Sequence, residues 1–155
     1  MDVKQRLEKV IRRSVEGRAW HGPSVKESIA GMSAEEAAWS PAPNLHSAWK
    51  LILHLTAWME EVAERMHGRH HMEPLRGDFP DTGEINGENW EKAQQDLEGA
   101  LNALLAALEQ FPDERLMERS VTGKGPGLPY FDVVAGVAQH NAYHAGQIVM
   151  MRRMR

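Results

Sequence analysis

Val133-Val134-Ala135-Gly136-Val137-Ala138-Gln139-His140-Asn141-Ala142-Tyr143-His144-Ala145-Gly146-Gln147-Ile148 decides the fold of this chain. Within and just beyond it, Val133, Val137, His140, His144, Ile148 and Met151 recur at intervals of three and four, the period of a helix with one buried face. With Val133 at zero and about 100° per residue, Val137 falls near 40°, His140 near −20°, His144 near 20° and Met151 near zero. Both histidines are therefore expected at the centre of the apolar stripe. They lie one turn apart on one face, where two imidazoles can reach a single ion. Pro129 suits the first helical position and Asp132 the first turn, so the helix is expected to run to about Arg152.

Three more long helices follow from the same reasoning. Val3, Leu7, Val10, Ile11 and Val15 make the first, with Asp2 as its cap. It weakens at Gly17. Two capping boxes, Ser24 to Glu27 and Ser33 to Glu36, mark a restart and a short helical turn. Ser47 caps a second long helix to about Met66, with Leu51, Leu55, Trp58 and Val62 on its inner stripe. Asn86 caps a third, through Trp90, Leu97, Leu101, Leu104 and Leu108, which Pro112 ends. Gly68 to Gly83 has no periodicity and reads as a long loop. Gly123 to Pro129 reads as a loop whose glycines serve turns; the GxxxxGK[ST] order of a phosphate loop is absent. No stretch alternates like a strand. The expected architecture is all-α: a four-helix bundle with long inter-helix connections, residues 1–155 forming one domain.

Composition narrows the function. The 155 residues carry 18 Lys+Arg and 22 Asp+Glu, a formal charge of −4, which disfavours a nucleic-acid partner. The basic run Arg152-Arg153-Met154-Arg155 complements a helix dipole. No apolar run approaches the roughly 20 residues of a membrane span, so no membrane partner and a cytoplasmic location are expected. With no cysteine, disulfides, thiolate metal sites and an internal thiol nucleophile are excluded. The nine methionines are read as core filler.

Eight histidines are unusual beside two tyrosines and three phenylalanines. On the second helix His54 lies about 60° from Leu51, on the flank of the stripe, where it can face the seam between helices. Three imidazoles in one apolar seam leave six ring nitrogens to satisfy, and a divalent ion takes three of them at once. Spacing alone leaves a structural role for these histidines open, and no spacing rule ties His54 to His140 and His144.

The run from Gly136 to Ile148, together with His54 in Trp49-Lys50-Leu51-Ile52-Leu53-His54-Leu55-Thr56-Ala57-Trp58, resembles the DinB-like superfamily, which includes YfiT-type metal-dependent hydrolases and thiol S-transferases. Trp20-His21-Gly22-Pro23-Ser24 and His46-Ser47-Ala48-Trp49 resemble one of its subgroups. The likeness spans essentially the whole chain. It implies a four-helix bundle in which His54, His140 and His144 hold a divalent metal, nickel or zinc, frequently in a homodimer. It also implies chemistry on a small-molecule electrophile with water or a low-molecular-weight thiol such as bacillithiol or mycothiol. Many members have no established reaction, and a non-catalytic metal- or ligand-binding bundle is the alternative.

Other residues carry weaker expectations. Asn141 replaces the glutamate of an HExxH helix, against a zinc protease. Glu61 on the flank of the second helix is a candidate base, or a solvated glutamate. Gln147 is a candidate to orient a ligand beside His144. Trp49 and Trp58 are read as core or interface aromatics. His21 and His46 sit at helix breaks, with backbone bonding or a pocket role as the alternatives. His67, His70 and His71 are read as solvated loop residues.

Overall fold

The computed structural model describes residues 2–69, 71–122 and 125–155. Six helices follow in order: α1 (Val3–Glu16), α2 (Val25–Ile29), α3 (Ala34–Ala38), α4 (Ala48–Met66), α5 (Gly87–Gln110) and α6 (Tyr130–Met154). The long helices α1, α4, α5 and α6 form the bundle. In it α4 packs against α5 and α6, and α1 against α6 and α5. A 3-10 turn, Asp113–Arg115, leads into a short hairpin of β1 (Arg119–Thr122) and β2 (Gly125–Pro129).

Helix starts lie where local chemistry puts them. Asp2 accepts from the Gln5 amide and Gln5 answers the Asp2 amide; Ser24 with Glu27 and Ser33 with Glu36 form the same reciprocal pair. Ser47 and Asn86 cap α4 and α5 through single bonds to Lys50 and Asn89. At the far end of α6, Arg152 donates to the Ser28 carbonyl at 2.9 Å, adding a tether to α2 beyond its dipole role. The core is a layer of Leu, Ile, Ala and Trp side chains; Trp49 of α4 is fully buried and tilts against Trp90 of α5, ring centroids 5.1 Å apart.

Four expectations need correction. The hairpin is strand, not loop: Arg119 pairs with Pro129, Val121 with Pro126 and Thr122 with Gly125, antiparallel and with a register irregularity between Arg119 and Val121. Gly-Pro-Gly-Leu-Pro has no strand propensity to read. Its pairing is supported by long-range contact, including Ser120 Oγ donating to the Leu128 carbonyl at 2.8 Å. Gly123 and Lys124 lie outside the described residues. Second, Pro129 precedes α6 instead of opening it. Third, Met59, Met66 and Met151 are core, but Met72, Met117, Met150 and Met154 are exposed.

The fourth concerns α6. Its buried face runs through Tyr130, Val134, Val137, Ala138, Asn141, Ala145 and Ile148, with His144 and Met151 at one margin. That centres the stripe on Asn141, about 100° round from His140. Asn141 is buried because its amide donates to Ser14 Oγ of α1 at 2.9 Å. The histidines therefore sit on the edge of the buried face, turned towards α4. His144 is buried and His140 half-buried.

A hairpin this short relies on close packing. A Cβ at Gly127 would lie 2.6 Å from Ser120 Oγ and 2.9 Å from Thr122 Cγ2. Gly127→Ala is expected to destabilise the protein by about 1–3 kcal/mol, measured by denaturant unfolding; an unchanged midpoint contradicts this packing.

Candidate metal centre

Helix α4 delivers His54 and helix α6 delivers His140 and His144 to one point. His54 Nε2 lies 2.9 Å from His140 Nε2, which lies 3.0 Å from His144 Nε2. One ligand atom from each of the three falls within 4.8 Å of the others, the one such histidine or carboxylate group among the described residues. The rings meet edge to face, with centroids 4.6–4.9 Å apart.

The outer nitrogens fix the tautomers. His54 Nδ1 lies 2.6 Å from the Asp78 backbone carbonyl, which can only accept, so Nδ1 carries the proton and Nε2 presents a lone pair. His144 Nδ1 donates to Gln147 Oε1 at 2.7 Å, with the same result. His140 Nε2 faces both lone pairs and has at most one proton to offer. At least one nitrogen pair is then lone pair against lone pair, which is repulsive in a partly dry seam.

Protonation does not relieve the conflict near neutral pH. Burial, then the neighbouring His144 and His54, push His140 down to about 4. Burial also lowers His144, partly opposed by its bond to Gln147. A divalent cation does relieve it. Two nitrogens bonded to one ion at about 2.0–2.1 Å stand about 3 Å apart, close to the 2.9 and 3.0 Å that separate His140 Nε2 from its two neighbours. The residues fit a metal ion.

Asp78 and Phe79, from the long loop between α4 and α5, complete the surroundings. The Asp78 carboxylate accepts from the Trp58 indole at 2.7 Å and approaches His54 Nδ1 at 3.2 Å. The Phe79 ring is stacked between His54, at 4.2 Å, and His46, at 3.8 Å. His46 titrates below its usual range, from burial first and then the Lys50 charge. Sequence reasoning missed both loop residues. Phe79, the lone Phe, Tyr or Trp in the run from Gly68 to Gly83, was the available signal.

The remaining candidates divide. Gln147 is at the site. Trp58 is half-buried beside His54, with ring centroids 6.3 Å apart, whereas Trp49 is core. Glu61 is fully buried, so it is no solvated glutamate; one oxygen accepts from Arg65 Nε at 2.8 Å and the other lies 3.3 Å from His71 Nδ1. That pairing also takes His71 out of the purely solvated class. His67 ends α4, and His70 lies outside the described residues. His21 lines a groove between α1 and α6, away from the three imidazoles.

Two clefts flank the histidines. One of about 690 Å³ is lined by His144, Gln147, His46, Phe79 and exposed Tyr143 and Met150. One of about 420 Å³ is lined by His54, His140, Trp58, Arg65, Asp78 and Asp132.

A family model of the DinB superfamily matches residues 23–148, a span that contains all three histidines. The chain belongs to the DinB superfamily. A solved structure, that of a conserved protein from Enterococcus faecalis, aligns with this DinB-superfamily chain at a TM-score of 0.66. It covers 99% of this chain and 97% of that one at 23% identity, a likeness of fold. No curated protein matches the sequence. No helix among the described residues is long and apolar enough to cross a membrane.

The histidine cluster makes metal-free protein sensitive to acid. His140, lowered to about 4 in the folded state, takes up its proton at higher pH when unfolded, near the ordinary value of 6.5. The unfolded chain binds more protons between those values, so stability rises with pH across that window. The melting temperature of metal-free protein is expected to fall as pH is lowered from about 6.5 towards 4, and His140→Phe should flatten that slope.

Proposed function

We propose that this chain is a metal-dependent enzyme in which His54, His140 and His144 hold one divalent ion, nickel or zinc, that acts on a small electrophile as a hydrolase or a thiol S-transferase. The observation that carries the reading is the convergence of three Nε2 atoms, with the lone pairs of His54 and His144 both turned towards His140 Nε2. When bound, such an ion acidifies a water or an incoming thiol and polarises an electrophile, and three neutral ligands leave coordination positions for these guests.

The chain's own residues do the rest. Gln147 holds His144 and the Asp78 carbonyl holds His54, each fixing the nitrogen turned inward. Phe79 clamps the His54 ring against rotation and narrows access for water. The 690 Å³ cleft, rich in Met, Tyr and Phe, suits the apolar body of a substrate. A thiol, if used, comes from a low-molecular-weight cofactor, since the protein has no cysteine. Glu61 is bonded to Arg65, which supports a role in holding Arg65 beside the smaller cleft over that of a base. A cytoplasmic homodimer belongs to the same proposal, on family likeness.

One observation favours the alternative of a non-catalytic metal-binding bundle. Each nearby carboxylate has one oxygen engaged: Asp78 accepts from Trp58 and Glu61 from Arg65. Untagged protein is expected to bind about one equivalent of nickel or zinc by elemental analysis, and Gln147→Leu to weaken that affinity about 10–100-fold. Turnover of a small electrophile lost in His144→Ala supports the enzyme. Metal binding with no turnover on a panel of electrophiles, with and without added thiol, supports the alternative. Protein that refuses both metals overturns both.

A further inference from the structure

Arg65 stands apart from the other arginines. Its side chain is only 12% exposed and its Nε is held by the fully buried Glu61 at 2.8 Å. The guanidinium lies over the Trp58 ring, 5.8 Å from its centroid. The terminal nitrogens, with four N–H donors between them, have no hydrogen-bond partner among the described residues, and the side chain lines the 420 Å³ cleft that His54 and His140 also line. A guanidinium held at Nε, with its outer edge opening into a cleft, is placed to meet a planar acceptor there.

We propose that Arg65 is the anchor for a carboxylate on the molecule that reaches the metal centre through this smaller cleft. The inference rests on the proposed metal site and adds the class of ligand it takes: a small carboxylic acid whose other end carries the metal-seeking atom. Glu61 presents the guanidinium by occupying Nε, which leaves the Nη edge to receive a carboxylate side-on. Trp58 forms the floor between anchor and centre. It is 6.3 Å from the His54 ring and 5.8 Å from the guanidinium, which puts anchor and His54 ring no more than about 12 Å apart. That bound admits an amino-acid- to dipeptide-sized ligand.

Two carboxylates also line the cleft, and neither displaces this reading. Asp78 is committed to Trp58 and His54. Asp132 is exposed in the first turn of α6, where water screens it more than protein screens Arg65. An exposed Asp132 beside Arg65 favours a ligand bearing one carboxylate over a dianion.

The test uses cobalt-loaded, full-length protein and follows thiolate-to-cobalt charge-transfer absorption. The probes are 3-mercaptopropionate and 6-mercaptohexanoate, each against its neutral amide. Wild type is expected to bind at least one acid about tenfold or more tightly than its amide. Arg65→Gln should bring that ratio to about one, with Arg65→Lys in between. Equal affinities in wild type, or a preference that survives Arg65→Gln, overturn the proposal. If Arg65→Gln fails to fold with Glu61 left unpaired, the Glu61→Gln/Arg65→Gln double variant takes its place, with the same expected ratio. Should cobalt not bind, the metal reading fails and the anchor is judged on metal-free protein. The Trp58 indole N–H resonance is then expected to move with hexanoate, not with hexanamide, and not at all in the variant. No movement in wild type overturns the anchor as well.

Discussion

His140 Nε2 held 2.9 Å from His54 Nε2 and 3.0 Å from His144 Nε2, with at most one proton among the three, is the constraint on which this molecule is organised. A bundle can bury a neutral histidine at little cost if each nitrogen finds a partner. Here the outer nitrogens find theirs, and in doing so they turn lone pairs inward. The partners of His54 and His144 thus create a demand for positive charge that the protein does not itself meet. Burial keeps His140 from meeting it by protonation.

The rest of the architecture serves that demand. Helix α4 is buried nearly all round, against α5 on one side and α6 on the other, so the position of His54 is fixed by two interfaces. The bond from Asn141 to Ser14 turns the buried face of α6 towards α1 and leaves His140 and His144 on its flank. At the centre of the stripe they would be sealed in the core. On the edge they stay against α4 and open to two clefts, which a site that takes in a guest requires.

Much of this was legible in the sequence because it is local. Asp2, Ser24, Ser33, Ser47 and Asn86 announce their helices through bonds to residues three positions on. The metal trio was singled out by the run around His140 and His144 and by likeness to a known family, since nothing local connects His54 to α6. What stayed hidden depends on distant contact. The hairpin exists through cross-strand pairing that Gly-Pro-Gly-Leu-Pro does not advertise. The stripe on α6 was placed to one side because large apolar residues were counted, whereas Ala138, Asn141 and Ala145 are buried as well and widen it away from His140. Glu61 looked like a candidate for the solvated flank, yet Arg65 one turn on supplies the charge that lets it be buried.

Asp78 and Phe79 have a further consequence. The three imidazoles ride on the rigid scaffold, but the groups that fix the tautomer and clamp the ring of His54 belong to a connecting segment. Ligand identity and ligand tuning are thus encoded in physically separate pieces of chain. A change at Asp78 or Phe79 would leave all three histidines on their helices while altering the tautomer and tilt of one of them. Such a layout separates the placing of the three rings from their adjustment, and it marks this segment as the place to begin when re-engineering the cluster.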